Sequence, residues 1–333
     1  MIKLVIPLTA GNSEYKYADI KKPTSGVLAD TREIAQQGLG FQCIKHFLGG
    51  CTTAFYTDVQ EERPKPVEVN PTDEDPVEKK TEETPKEKEP PKKIGVGIID
   101  DPKNIRLMVG DLPYQTAEQL AIEIVNQISP ENDGIEGLYQ CPRCNNQLLC
   151  AEDIERDIDT RDFLRTMKRI CRPDEEDNFI NMTLSESVEI RTDDARNELE
   201  EEFKSFRLRY PTLNDCIKAE ELVGRKNTGK LQHSIYKQAL VSVNGQPVDR
   251  KWKGIYGDMF FRTIKDPMDL VKLSKKLDKY GIERDREKRC PKCEKVWKAQ
   301  VDITGFFYTA LEERSSGKAG NFHLGSGYSR QSS

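Results

Sequence analysis

Cys141-Pro142-Arg143-Cys144 and Cys290-Pro291-Lys292-Cys293 are the two stretches on which the reading of this chain turns. Two thiolates two residues apart can reach one cation from a single tight turn. Two such turns complete a tetrahedral all-sulfur site with metal–sulfur distances of ~2.3 Å. Each pair follows short polar or charged residues and precedes strand-like sequence, so each reads as strand, turn, strand. The 145 residues between Cys144 and Cys290 are a long insertion, but each knuckle is local and tolerates it. The pattern predicts one structural zinc per chain, held by Cys141, Cys144, Cys290 and Cys293. A closed four-sulfur shell leaves no open position, so the ion is not expected to be catalytic. Such a site pins the C-terminal third of the chain to its N-terminal half, and metal binding feeds into folding.

A redox reading needs Cys-x-x-Cys at a helix start after a strand, and neither pair has that setting. Knuckle turns favour glycine after the second cysteine, where the backbone visits φ > 0. Here Asn145 and Glu294 stand in that place. Nine cysteines, four of them in Cys-x-x-Cys pairs, fit metal chemistry in a reducing compartment before structural disulfides. Cys43, Cys51, Cys150, Cys171 and Cys216 are mostly flanked by apolar residues and read as buried small hydrophobes. Cys150 also lies close enough to the first knuckle to serve as a substitute ligand. His46, His233 and His323 sit in no metal or nucleophile motif.

Working outward, the 333 residues suggest about two domains. Only 36% are hydrophobic and 33% are charged, so part of the chain is not core. A net charge of −5 argues against a chain that coats DNA or an anionic membrane as a whole. No run is apolar enough to span a bilayer, and Met1–Leu8 is too short an apolar run for a secretory signal. A cytosolic or particle-borne protein is expected. Asn181-Met182-Thr183 is then a chance sequon.

Residues 58–94 form the clearest boundary. From Asp58 to Lys93 there are seven prolines, four valines as the only aliphatics, and 12 acids against 8 bases. Such a segment cannot offset its chain entropy by burial and reads as a disordered spacer. Before it, residues 1–57 carry a hairpin (Met1–Leu8 and Tyr15–Ile20 around Ala10-Gly11-Asn12) and two helical stretches. The first opens at Pro23, and the second ends at Gly49-Gly50. Residues 95–150 hold the helix Thr116–Ile128, with Thr116-x-x-Gln119 as a capping box, then a loop Ile135–Gln140 into the first knuckle.

The acidic segment 151–240 is an insertion. It holds a strand through Ile180–Ile190 broken by a turn near Ser185-Glu186-Ser187, and a charged helix Asp193–Phe206. Helices at Leu213–Val223 and Leu231–Leu240 follow, and Val241–Gly245 runs as a strand into a turn. Residues 241–313 hold two helices and the second knuckle. One helix has Trp252, Ile255, Tyr256, Met259 and Phe260 on one face; the other starts at Asp266-Pro267, buries Leu270, Leu273, Leu277 and Tyr280, and ends at Gly281. An alternating block Trp297–Leu311 and a flexible tail, 314–333, close the chain. The fold class is therefore α+β: small β-hairpins and packed helices around a zinc ribbon made of two distant knuckles.

Gly224-Arg-Lys-Asn-Thr-Gly229-Lys230 imitates a phosphate loop, but Leu231 replaces the hydroxyl that would hold Mg²⁺ and a helix precedes it. The acidic clusters Asp157-x-Asp159 and Asp174–Asp177 lack the glycine and terminal Glu of a calcium loop. Residues 246–300 hold 16 bases and 9 acids, including both tryptophans, Trp252 and Trp297. A basic zinc ribbon can bind nucleic acid. The bases interleave with acids on amphipathic helices, which reads as a solvated face first and as a docking face for an acidic protein surface second.

The order of these features resembles baseplate hub and tail-assembly proteins of contractile-tailed phages, T-even-type and Mu-like. The resemblance rests on the hairpin Ile2–Ile20, on Gly110-Asp-Leu-Pro113 leading into a helix and a Cys-Pro-x-Cys knuckle, and on Val243-Asn244-Gly245 before two helices. Asp266-Pro-Met-Asp-Leu270, Tyr280-Gly281-Ile282 before the second knuckle, and Phe306-Phe307 complete it. It implies a non-enzymatic structural or assembly component of the hub region, present in multiple copies and contacting hub, tube, tape-measure and wedge proteins. A bacterial contractile injection system fits the same resemblance. Neither a membrane nor a nucleic acid is then expected as partner. The alternative is a phage-encoded zinc-ribbon protein that binds nucleic acid or assists transcription.

Overall fold

The computed structural model of the chain describes residues 1–37, 40–61, 93–128, 138–149, 169–174, 176–194, 197–224, 228–283 and 285–300. The class is α+β, and among the described residues the ladders are antiparallel and there are two hydrophobic cores.

The first core lies under a three-stranded sheet of β1 (Ile2–Ala10), β2 (Ser13–Ile20) and β3 (Thr52–Tyr56), in that order. The β1–β2 hairpin turns at Gly11, φ +60°, as its sequence suggested. Helix α1 (Ser25–Gln36) is capped by Thr24, whose hydroxyl accepts from the Val27 N–H. Helix α2 (Gly40–Cys51) buries Cys43, Ile44, Phe47, Leu48 and Cys51. It does not stop at Gly49-Gly50. The helix runs through both, and a Cβ on Gly50 would lie 2.6 Å from Val27 Cγ2. That glycine permits α1 to approach α2; it is not a terminator.

The segment expected to be a disordered spacer, 58–94, is strand at its two ends, and these pair. Strands β4 (Asp58–Glu61) and β5 (Lys93–Val96) form a ladder from Asp58↔Val96 to Glu61↔Lys93. Residues 62–92 lie outside the described residues. Helix α3 (Pro102–Val109) follows, capped by Asp101, and then helix α4 (Tyr114–Ile128). Along α4, Ala117, Leu120, Ala121, Ile124 and Val125 are buried, as the periodicity requires.

Thr116 and Gln119 do not form a capping box, because α4 starts two residues earlier. They bind the backbone of β1 instead. Between Lys3 and Leu8 the β1–β2 register shifts. Thr116 Oγ1 donates to the Ile6 carbonyl at 2.6 Å and accepts from the Ile6 N–H at 3.1 Å. Gln119 donates to the Lys3 carbonyl at 2.8 Å and accepts from the Val5 N–H at 2.9 Å. The Arg172 N–H donates to the Val5 carbonyl at 2.7 Å. Leu4 and Leu8 enter the first core while Ile6 enters the second.

A short hairpin, β6 (Leu138–Gln140) and β7 (Gln147–Leu149), carries the first knuckle, so the expected loop into Cys141 ends as a strand. Strand β8 (Arg169–Ile170) leads to the long hairpin of β9 (Phe179–Asp194) and β10 (Asn197–Arg209). Helices α5 (Leu213–Val223) and α6 (Thr228–Ala239) follow, then β11 (Leu240–Val243) and β12 (Gln246–Pro247). Helices α7 (Ile255–Thr263) and α8 (Pro267–Leu277) pack on β9. The chain returns through β13 (Gly281–Ile282), paired with β8, and the hairpin of β14 (Asp285–Arg289) and β15 (Val296–Gln300). The second core draws on Ile6, on strands β9, β10 and β11, and on helices α6, α7 and α8, so the boundary expected at residue 240 falls inside it.

The described residues of the expected helix Asp193–Phe206 are strand. Phe203 pairs with Val188 and Ser205 with Thr183, so Ser187 back to Leu184 on β9 face Lys204 alone. This bulge puts Phe203 and Phe206, three residues apart, into one core. That spacing imitates a helix, and the glutamate run reinforced it. The expected turn near Ser185 is the same bulge in an unbroken β9. Asp269 fastens it, accepting from Ser185 N at 2.7 Å and Ser185 Oγ at 2.8 Å.

Two helix readings also shift. Helix α7 starts at Ile255, which is 73% exposed; it buries Gly257, Phe260 and Phe261 instead of an Ile255–Met259 face. Helix α8 ends at Leu277, not Gly281, whose φ of +129° opens β13. Leu273, Leu277 and Tyr280 are buried as expected. Of the block Trp297–Leu311, the part after Gln300 lies outside the described residues, as does the tail 314–333.

Replacing Thr116 by Val keeps its shape but leaves the Ile6 N–H and carbonyl without this partner. We expect a loss of about 2–3 kcal/mol, read from the urea midpoint at unchanged slope. Asp269 gives a pH test. Burial opposes its charge, but the Ser185 N–H, Lys272 and Ser185 Oγ hold its carboxyl below the ordinary aspartate value of 3.8. Its contribution is therefore present above the unfolded pKa and is lost as pH falls through the lower folded value. Asp269→Asn should lower stability at pH 7, with the difference from the parent chain narrowing in acid.

Candidate metal centre

The site is built by two copies of one local device. In the first, the Cys141 N–H donates to the Asn146 carbonyl at 2.9 Å, and the Asn145 N–H returns to the Cys141 carbonyl at 2.9 Å. In the second, Cys290 N–H to Lys295 O is 2.9 Å and Glu294 N–H to Cys290 O is 2.8 Å. Strands β6 and β7 hold the first turn, and β14 and β15 the second. Both turns need a left-handed residue after the second cysteine: Asn145 has φ 55° and Glu294 φ 57°. Asn adopts that region readily, while a glutamate there carries strain.

The four thiols meet. Their sulfurs lie within 4.8 Å of one another, with Cys141 Sγ to Cys293 Sγ at 3.6 Å and Cys144 Sγ to Cys290 Sγ at 3.6 Å. A tetrahedron with metal–sulfur distances of ~2.3 Å has edges of about 3.8 Å. The spacing therefore suits one ion, and it is far longer than a disulfide bond. Cys141 and Cys290 are buried while Cys144 and Cys293 are half-buried. Burial works against the Cys141 thiolate, but the backbone N–H groups of Cys144 and Arg143 and the thiols of Cys293 and Cys144 bring it down to about 6. The Lys295 N–H favours a Cys293 thiolate, yet burial and the three neighbouring thiols push Cys293 up to about 12. Four negative sulfurs at this distance repel one another, and a soft divalent cation relieves that repulsion.

The structure brings all four expected ligands together and leaves the other described cysteines elsewhere. Cys43, Cys51 and Cys216 are buried. Burial pushes the Cys51 thiol up to about 12, against Lys21, and raises that of Cys216 as well. Cys171 is half-buried and outside the cluster, and Cys150 lies outside the described residues. His46 stands 3.7 Å from Asp30, and His233 tilts against Phe261; His323 is outside the described residues. Asp174 pairs with Lys16 at 3.0 Å and Asp177 with Arg207 at 2.7 Å, so these carboxylates serve ion pairs. Helix α5, not a strand, precedes the phosphate-loop imitation at Gly224.

Each knuckle is strand, turn, strand as expected, and among the described residues its strands pair with their own hairpin partners only. Among the described residues no helix is long and apolar enough to cross a membrane. No protein-family model, curated protein or solved structure matches the chain.

The strained knuckle provides a test. Glu294→Gly removes the side chain from the left-handed position and should raise stability by up to ~1 kcal/mol, while Asn145→Gly should gain less. Thermal unfolding of both variants beside the parent chain checks the ranking.

Proposed function

We propose that Cys141, Cys144, Cys290 and Cys293 hold one structural zinc ion per chain. On this reading the protein is a structural or assembly component of a contractile phage tail baseplate, in its hub region. It works by presenting surfaces to other proteins, and no catalysis is assigned to it. The observation that carries the reading is the closed four-sulfur shell formed across 145 intervening residues. Soft thiolates in tetrahedral array suit zinc, and a full sulfur shell has no position for a substrate. The placement in a phage tail rests on the resemblance of order and spacing given above. Hub, tube, tape-measure and wedge proteins are its proposed neighbours, in a symmetric assembly of several copies.

The ion's role is to fix a surface. Each knuckle is a short two-stranded hairpin, which alone is marginal in water. Joined through one ion, the two become a single rigid unit, and metal-binding free energy becomes folding free energy.

Elemental analysis of the purified chain should give one zinc per chain. Cys290→Ser should lose that zinc and lower the unfolding temperature of the whole chain. Lowering the pH should release the ion as protons compete for the thiolates. No zinc, or two zincs indifferent to that change, would overturn the single-site reading. The tail placement is tested by co-expression with hub, tube, tape-measure and wedge proteins of one particle. A stoichiometric complex is expected; a chain that sediments free of all four rejects it.

A further inference from the structure

A cavity of about 330 Å³ opens beside the turn that joins β11 to β12. Its lining includes Glu202 and Phe203 of β10, Asn244 of the turn, Gln246, Pro247 and Trp252. Ligand pockets start at ~300 Å³, so it has room for one side chain or a small ligand. The ladder explains where it lies. Strand β11 covers β10 only from Phe206 to Leu208, and the chain then turns at Asn244, φ 47°, and Gly245, φ 79°. Asn244 serves β10 where β11 stops. Its N–H donates to the Ser205 carbonyl at 2.8 Å. Its Oδ1 accepts from the N–H groups of Lys204 at 3.0 Å and Ser205 at 3.1 Å, and its Nδ2 donates to the Glu202 carbonyl at 2.9 Å. The turn is thereby locked onto β10, and this wall of the cavity is fixed without a ligand.

Trp252 supplies the aromatic wall. It is half-buried and packs on the second core, with its ring edge-to-face to Phe203 at 5.1 Å and to Phe260 at 5.9 Å. Glu202 is the charged residue of the lining, and it is exposed. Glu189, directly opposite Glu202 in the ladder, is exposed as well. Carboxylates placed opposite one another repel. Neither forms an ion pair with another described residue. Lys204, the next cation along β10, is exposed and lies outside the lining. An indole beside a carboxylate attracts a cation through both the ring quadrupole and the charge. The same carboxylate repels an anion.

We propose that this cavity receives the charged end of an arginine or lysine side chain carried by a partner protein. The stem of that side chain packs against Phe203, Pro247 and Trp252, and its head pairs with Glu202. Arginine is the better fit, because its flat guanidinium both stacks on an aromatic ring and meets a carboxylate with two N–H groups. The inference rests on the reading that this chain works by contacting proteins. It depends on neither the ion nor the tail placement.

The probe is a capped five-residue peptide with one central arginine between Gly and Ser residues. It is titrated into the full chain carrying Trp297→Phe, which leaves Trp252 as the sole tryptophan and its fluorescence as the readout. A saturable change with a Kd on the order of 1 mM is expected from one anchoring side chain, and it should weaken as salt screens the pair. The peptide with norleucine in place of arginine should not bind. Glu202→Gln should weaken the arginine peptide about two- to fivefold. That variant removes the repulsion from Glu189, so its unfolding midpoint should be no lower than the parent's, and lost binding is then not lost folding. No saturable binding overturns the proposal, as does a norleucine peptide that binds equally well or a Glu202→Gln chain that binds unchanged. Methylguanidinium binding as tightly as the peptide assigns the cavity to a small organic cation and overturns the partner side chain. Peptide bound through Glu202 by a chain that joins none of the tail proteins supports the site and rejects the tail placement. A complex with those proteins, beside no peptide binding, overturns the site alone.

Discussion

The middle of β1 is the constraint on which the arrangement of the two cores depends. A strand whose register with its neighbour shifts leaves backbone donors and acceptors to satisfy, and burying them unpaired is costly. Here two side chains of α4 and one backbone N–H of the segment after β8 take those bonds. Arg172 is itself buried, and its guanidinium bonds Glu14 of β2 and the Glu176 carbonyl. The same few residues of β1 therefore orient α4, hold the segment 169–174, and send Leu4 and Leu8 to one core and Ile6 to the other. Buried polar networks of this kind are costly if half made, and here each backbone group of Val5 and Ile6 has a partner.

The cysteine cluster works on a different principle. Its two knuckles are local hairpins with matching turns. The cost of closing a long loop rises only slowly with length, so inserting a large α+β segment between them is tolerable. The insertion is also not free-standing. Glu220 on α5 accepts from the N–H groups of Gly40 and Phe41, capping α2 of the first core. Lys45 of α2 bonds Asn214 at the start of α5. The cores are thus joined by β1, by α5 and by the β8–β13 pair before the chain reaches the second knuckle. With the chain already returned to that region, the four sulfurs need little further ordering to meet.

Charge is used unevenly. Near the cores, acids are consumed by specific partners: Asp215 by Arg209 and the Thr212 cap, Asp258 by Lys237, Glu176 by Lys279 and Tyr280. On the ribbon, Arg289 stands 3.6 Å from Glu294.

The sequence by itself determined the four cysteines that meet, the α+β class and the elements whose signal is local. Cys-x-x-Cys repeated twice, Asn244-Gly245 between short strands, Asp266-Pro267 at a helix start and the apolar stripe of α4 each carry their meaning within a few residues. Tertiary structure decided the rest. Residues 197–209 have glutamates that favour helix, but pairing with β9 and burial of Phe203, Phe206 and Leu208 outweigh that preference. Thr116 and Gln119 look like a cap and instead serve a strand 110 residues or more away, because only the folded chain shows where β1 leaves its ladder. Gly50 looks like a terminator and is a contact, because only packing places Val27 against it. Local signals are set by the chemistry of neighbouring residues along the chain; these choices are set by which distant backbone and side-chain groups must be satisfied in the interior.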